Sequence, residues 1–349
     1  HDGSTVYWSD DIAGTFPYFD GGSSGSLNIA SVLPNNVDTI TALALHNGFL
    51  IIFCEHNIIV YSGADNPLTA SFAVSDVIAG VGCIARDSVQ GTGNDLIFLS
   101  DTGIRSLGRL IQEKSVPLRD LTANVRDDLL ADITIERFNT LIRDSASDLR
   151  NVKSVYSELN AFYLLSLPSI EKVYCLDMRK PLETGAARVT TWKEYEARAF
   201  TRTRGRELLM GKPDGIGVYN TYTDNGSAYQ LKYASHYLDL GMPTTNKMLK
   251  QINATVIGGT NQTFVIKTSF DYQDSPRSYP FTIITGEVFE YGLAEYNIAE
   301  YTFGVVLEAV KSSAGGSGNV VQIGFEAEVN GNELSVQKID MFAKTGRIS

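Results

Sequence analysis

The chain offers little for redox, metal or covalent chemistry. Its three cysteines, Cys54, Cys83 and Cys175, stand in or beside apolar strand patterns, with no CxxC spacing and an odd total. That usage predicts buried free thiols rather than a disulfide framework or a zinc site, and it suits a reducing cytoplasm. The four histidines, His1, His46, His56 and His236, are scattered without ligand spacing. No GxSxG, HExxH, Walker loop or strand-following GxGxxG occurs, which removes the usual nucleophile, zinc-protease and nucleotide signatures. Gly215-Ile216-Gly217 reads as a turn between strands and not as a phosphate cradle. Long apolar runs are also missing. The best candidate, Phe49 to Phe53 with Ile58 to Tyr61, is broken by Glu55-His56-Asn57, well short of the roughly 18 residues a membrane span needs. Basic residues are outnumbered: 29 Lys and Arg against 40 Asp and Glu give a net charge of −11. An acidic surface repels phosphate and disfavours sequence-independent clamping of DNA.

What the sequence has is repetition. Leu50, Leu96, Tyr163 and Leu208 each anchor a short apolar run, at spacings of 46, 67 and 45 residues. Eleven positions after each anchor stands Tyr61, Leu107, Tyr174 or Tyr219. Between the two runs lies a polar or Gly-containing turn, such as Asp101-Thr102-Gly103 or Pro213-Asp214-Gly215. A period of about 40–50 residues with several strands per unit is that of a β-propeller blade. The expected fold class is therefore all-β: a β-propeller, complete or partial within this chain, over residues 1–221.

The one long spacing implies an insertion at about 115–148. Leu118, Leu121, Val125 and Leu129 recur at helical intervals after Pro117, and Phe138, Leu141 and Ile142 after Thr134 predict a second short helix. Val6 to Ser9 and Leu27 to Ile29 read as strands around a Gly/Ser loop at Gly21 to Ser26, and Val74 to Arg86 as a link between blades. A linker is expected around Tyr222 to Tyr233. Residues 236–349 then alternate as a β-sandwich or platform, with turn signals at Gly258-Gly259 and Gly315-Gly316 and a hairpin signal at Asn330-Gly331. Because the chain starts at His1 and the blade pattern begins almost at once, it is expected to be the later part of a longer protein.

The charge run Arg198, Arg202, Arg204 and Arg206 is the candidate functional surface. On a strand, the last three would share one face. Subunit contact is the favoured role, with DNA phosphate or a solvated hairpin as alternatives. The frequent aromatics, 17 Tyr, 16 Phe and 2 Trp, are assigned to the core ahead of sugar stacking. The Asp-Gly turns are similar to those of sialidase propellers but lack the fuller Ser-x-Asp-x-Gly-x-x-Trp pattern.

A family resemblance is carried by three stretches. The first is Val81-Gly82-Cys83-Ile84-Ala85-Arg86-Asp87-Ser88, continuing through Asn94 to Leu-Ser-Asp-Thr-Gly-Ile-Arg at Leu99 to Arg105. The second comprises Asn160 to Leu165, Val173 to Asp177 and Trp192-Lys193, and the third Val320 to Lys344. Together they resemble the tail tubular, or nozzle, proteins of short-tailed bacteriophages, from about Thr39 to the end. The resemblance implies a structural virion protein of the tail, not an enzyme, assembled in the host cytoplasm into a homo-oligomeric ring, a hexamer. Such a ring would bind adaptor and portal-side tail proteins and tail fibres, and would conduct and retain genomic DNA without reading its sequence. The resemblance also implies that Asp127, Asp128 and Asp132 are to be expected at interfaces or near a channel. It implies no catalytic residue, cofactor or metal. The alternative is a propeller that binds or cleaves surface glycans.

Overall fold

The computed structural model describes residues 3–9, 24–33, 37–63, 72–112, 120–145, 149–259, 262–283, 307–313 and 315–346. The chain divides into two compact units, His1–Tyr219 and Asn220–Ser349. It is an all-β protein in which, among the described residues, two α-helices interrupt a series of antiparallel sheets.

Five sheets of described strands follow one another in the first unit, each built from consecutive strands. The first pairs Thr5–Trp8 with Gly25–Asn28. The second runs Ile40–His46, Phe49–Cys54, Asn57–Ser62, Ala73–Ala79, and the third Gln90–Gly91, Leu96–Ser100, Gly103–Ser106. The fourth is Lys153–Ser157, Phe162–Leu167, Lys172–Asp177, Arg188–Lys193, and the fifth Ala199–Arg202, Leu208–Lys212, Gly215–Val218. Ala73–Ala79, read from sequence as part of a link, is the outer strand of the second sheet, where Ile78 pairs with Ile58.

The period of two along a strand explains how these sheets stack. Ile52 and Cys54 pack toward the first sheet, beside Val6 and Ile29. Their neighbours Ile51 and Phe53 pack toward the third, beside Leu96 and Phe98. Ile97 and Leu99 continue the series toward Tyr163 and Leu165 of the fourth sheet. Phe162 and Leu164 then face Leu208 and Met210 of the fifth. Every inner sheet is thus buried on both faces, as propeller blades are. All four anchors, Leu50, Leu96, Tyr163 and Leu208, point at the preceding sheet. Leu50 pairs directly with Tyr61, and Leu208 accepts from the Tyr219 amide. In the fourth sheet the partner of Tyr163 is Leu176, not Tyr174, because the 3-10 turn Pro168–Ile170 adds two residues to the hairpin.

Gly82 shows why the Val-Gly-Cys run takes this form. A Cβ there would collide with the carbonyl oxygens of Glu55 and Cys54. The bare backbone lets the Cys83 amide bond Cys54 at 2.8 Å. Cys83 and Cys54 are fully buried free thiols, and burial pushes their pKa values up to about 11 and about 12. Cys175, at the edge of the seam between the fourth and fifth sheets, is pushed to about 12 for the same reason.

The insertion differs from its sequence reading. A short helix, α1, occupies Leu107–Gln112, and a single helix, α2, runs Arg126–Asp144. The expected break near Thr134 is absent because its hydroxyl donates to the Leu130 carbonyl at 2.8 Å, four residues back, within a continuous helix. Pro117 and Leu118 lie outside the described residues, as do His1 and Gly21 to Ser23.

The second unit is a two-sheet sandwich. Tyr229–Ala234, Val321–Val329, Thr263–Phe270 and Arg277–Thr282 form one sheet in that spatial order. Lys247–Gly258 is the spine of the other, between Leu334–Thr345 on one side and Leu307–Ser313 with Ser317–Gly318 on the other. Ile252, Ala254 and Val256 meet Phe264, Ile266 and Phe325 in the core between them. Tyr229–Ala234 falls where a linker was expected; its pairing with Val321–Val329 makes it a full sheet strand. Asn330-Gly331 is not a hairpin either: the strands on its two sides belong to different sheets, so it forms an arch between layers. Gly258 begins a second such crossing at φ +77°, where a Cβ would also run into the Glu333 carbonyl oxygen. Lys247 is buried, its ammonium held by the carbonyls of Met242 (2.5 Å), Thr245 (3.0 Å) and Asn319 (2.6 Å).

Candidate axial site and assembly surfaces

The first strands of the second to fifth sheets converge on a cavity of about 800 Å³. Leu43, Leu45 and Phe200 supply apolar wall, and Arg86, Lys153 and Arg198 supply cations. Cross-strand contacts tie this inner ring together. Lys153 and Arg86 both bind Asp87, Ser154 donates to the Asp87 carbonyl at 2.7 Å, and Gln90 donates to the Ser154 carbonyl at 3.2 Å. Behind them the buried Tyr163 hydroxyl donates to the Ser88 carbonyl at 2.7 Å, and the Ser88 hydroxyl accepts from the Leu99 amide.

Burial alone would raise the pKa of Asp87, but hydrogen bonds and charge from Arg86 and Lys153 outweigh it and hold the carboxyl below its ordinary value. Among the described residues Asp87 is the one carboxylate in the cavity wall, and it is kept ionised between two cations. Arg198 pairs with Glu196 at 2.6 Å. The wall thus carries three cations against one carboxylate, Arg198 being paired from outside the lining by Glu196, and it is braced by these ion pairs. Retaining or inverting glycosidase chemistry calls for two carboxyl groups with separated pKa values, which the described wall does not provide.

The arginine run is dispersed. Arg198 reaches the axial cavity, while Arg202 ends the first strand of the fifth sheet and pairs with Glu158 at 3.1 Å. Arg204 and Arg206 lie in the hairpin turn Thr203 to Glu207, with Arg206 at φ +65°. The alternation expected of a strand fails because the strand stops at Arg202 and the chain reverses through Gly205.

Helix α2 carries two stripes. Leu129, Ile133, Glu136 and Thr140 are buried against the unit. Glu136 accepts from the Ser169 amide (2.9 Å) and hydroxyl (2.5 Å), and burial raises its pKa despite those bonds. Asp132 is bound by Lys172 and by the Tyr174 hydroxyl, so it braces the helix rather than lining a surface. The opposite side presents Ile135 (48% exposed), Phe138 (59%), Leu141 (48%) and Ile142 (67%), with Asp127 and Asp128 in the first turn. A second uncovered apolar face lies on the fifth sheet. Leu208 and Met210 face inward, while Leu209, Val218 and Ile216 (74% exposed) face away from the fourth sheet. Covering a large apolar side chain is worth about 1.5–3 kcal/mol, so each face carries a drive for association.

Asp38, Glu55 and His56 gather at the second hairpin of the second sheet, between Phe49–Cys54 and Asn57–Ser62, their potential ligand atoms within 4.8 Å of one another. Asp38 already accepts from the His56 amide and the Asn57 side chain, which closes the hairpin. Nothing in local sequence marks Lys153 as a partner of Asp87, since 66 residues separate them. The only available signal is the Arg-Asp-Ser run itself.

No protein-family model matches the chain, and no curated protein does. Among solved structures, the chain is similar to the "AfRom2 CNH domain" at 15% identity and a TM-score of 0.26, covering 52% of this chain and 49% of that one. It is also similar to a glycoside hydrolase family 43 arabinoxylan arabinofuranohydrolase from Bacillus subtilis in complex with cellotetraose, at 7% identity and a TM-score of 0.25. That match covers 88% of this chain and 54% of the enzyme. The chain thus spans about half the length of each structure, and at such scores neither informs fold or function. Among the described residues no helix is long and apolar enough to cross a membrane.

Proposed function

We propose that the chain is a structural subunit of a bacteriophage tail, of the nozzle type, forming a ring that conducts and retains genomic DNA. The observation that carries this reading is the helical insertion with apolar stripes on both sides, only one of them covered within the chain. A contiguous apolar stripe left uncovered opposite the packed side of a helix marks a surface for contact with another molecule. The resemblance of the segments from Thr39 onward supplies the kind of assembly, and the net charge of −11 suits a wall past which DNA slides. The braced axial wall with a single ionised carboxylate favours this over the glycan-cleaving alternative. The ring would be a hexamer in the tail, meeting adaptor and portal-side proteins above and fibres around it. Antibodies to the chain, applied to purified particles of the phage that encodes it, should decorate the tail in electron micrographs. Decoration of no particle, with oligosaccharide hydrolysis by the purified chain, would overturn the reading.

A further inference from the structure

The two uncovered faces of the first unit are complementary, and neither can be satisfied by the other within one chain. Helix α2 packs against the turn Pro168–Ile170 through Glu136 and Ser169. That turn joins the second and third strands of the fourth sheet. The Arg204–Arg206 turn joins the first and second strands of the fifth. Turns in a meander alternate between ends, and the pairing of Arg202 with Glu158, from the first turn of the fourth sheet, aligns the two sheets in the same sense. The helix and the arginine hairpin therefore lie at opposite ends of the unit.

We propose that these two surfaces are the halves of one contact between copies of this chain. The outward stripe of α2 in one copy, Ile135, Phe138, Leu141 and Ile142, lies across Leu209, Ile216 and Val218 of the next. Asp127 and Asp128 then meet Arg204 and Arg206. Charge decides the occupant. Pairing of α2 with a second α2 in parallel would set the acidic turns against each other. An antiparallel pair would set them by Arg143, which is already bound to Asp144 at 3.4 Å, with Arg137 farther back beside Glu136 in the chain. The hairpin supplies cations beside an exposed apolar face, which is what the helix end lacks. Because the two halves differ, the contact is heterologous, the type that builds a ring when its rotation closes. The proposal rests on reading the chain as a ring subunit and names the surfaces that build it.

Two charge-exchange variants test it: Asp127→Arg with Asp128→Arg, and Arg204→Asp with Arg206→Asp. None of the four positions is buried, so both variants should fold, the α2 variant melting slightly below the wild type because Asp127 and Asp128 stand in the first turn of the helix, where its dipole favours negative charge. By light scattering over a concentration series, the wild type self-associates, and each variant alone associates roughly 100-fold more weakly because like charges face each other. An equimolar mixture of the two restores assembly, since in an alternating array the basic α2 of the first variant meets the acidic hairpin of the second, and the native acidic α2 of the second meets the native basic hairpin of the first, so every junction again joins opposite charges. Wild-type assembly with variants that assemble equally well, or a mixture no better than either variant alone, overturns the contact while leaving the subunit reading in place. A wild type that remains monomeric at every concentration overturns both.

Discussion

The two units bury their strands differently. In the first, an inner sheet has neighbours on both faces, so consecutive residues such as Ile51 and Ile52 are both core. In the second, the strand Lys247–Gly258 shows Ile252, Ala254 and Val256 to the core and turns Gln251, Asn253 and Thr255 the other way. The first arrangement writes continuous apolar runs into the sequence and the second writes alternation. The lesson is that a run such as Leu-Ile-Ile-Phe marks a sheet between sheets, and needs neither a helix nor a membrane to explain it.

The comparison breaks most visibly under buried charge. Ile51→Asp and Ile52→Asp should each cost more than about 4 kcal/mol and abolish folding, although they lie on opposite faces. In the sandwich, Ile252→Asp should do the same, whereas Thr255→Lys should shift stability by no more than about 1 kcal/mol. Urea denaturation of purified variants gives both values, and tolerance of Ile52→Asp would refute two-sided burial. Next in size, Lys247→Ala should cost about 2–4 kcal/mol by leaving three carbonyls without their donor, a dependence with no counterpart in the apolar seams of the first unit. Tyr163→Phe should cost about 1–1.5 kcal/mol through loss of the bond to Ser88 behind the axial ring.

Smaller effects appear in pH titrations. The pKa of Asp87 is lower in the folded chain, so its stabilising contribution is full above the ordinary carboxylate range, near pH 4, and is lost as pH falls through the depressed value. Asp87→Asn should remove that acid-side loss. Glu136 has the opposite sign. Its pKa is raised by burial, so the wild type loses stability relative to Glu136→Gln as pH rises from about 4 through the raised value. Melting curves of both variants between pH 3 and pH 8, a range of roughly the carboxylate and neutral regions, would show crossing trends, and parallel trends would contradict the assignment.

Much of the fold was legible because local pattern and burial agree. Leu50 and Tyr61 are directly paired, and the Gly82 turn sits where the backbone passes another strand. What was not legible depended on partners distant in sequence. Helical spacing recovered Leu129 as core but could not tell that Phe138, Leu141 and Ile142 are the outward side, because both sides of α2 are apolar. Asn330-Gly331 carries a hairpin signal, but the sandwich uses it to change layers. The four arginines looked like one face until the strand ended at Arg202. Pairs such as Lys153 with Asp87 are fixed by the stacking of sheets and leave no trace in local spacing.

The most direct test of the chain as a building element is an averaged electron-microscope image of the purified protein at high concentration. The account predicts closed rings of identical copies around an opening wide enough for duplex DNA. Isolated single copies in every field, with no ring at any concentration, would contradict it.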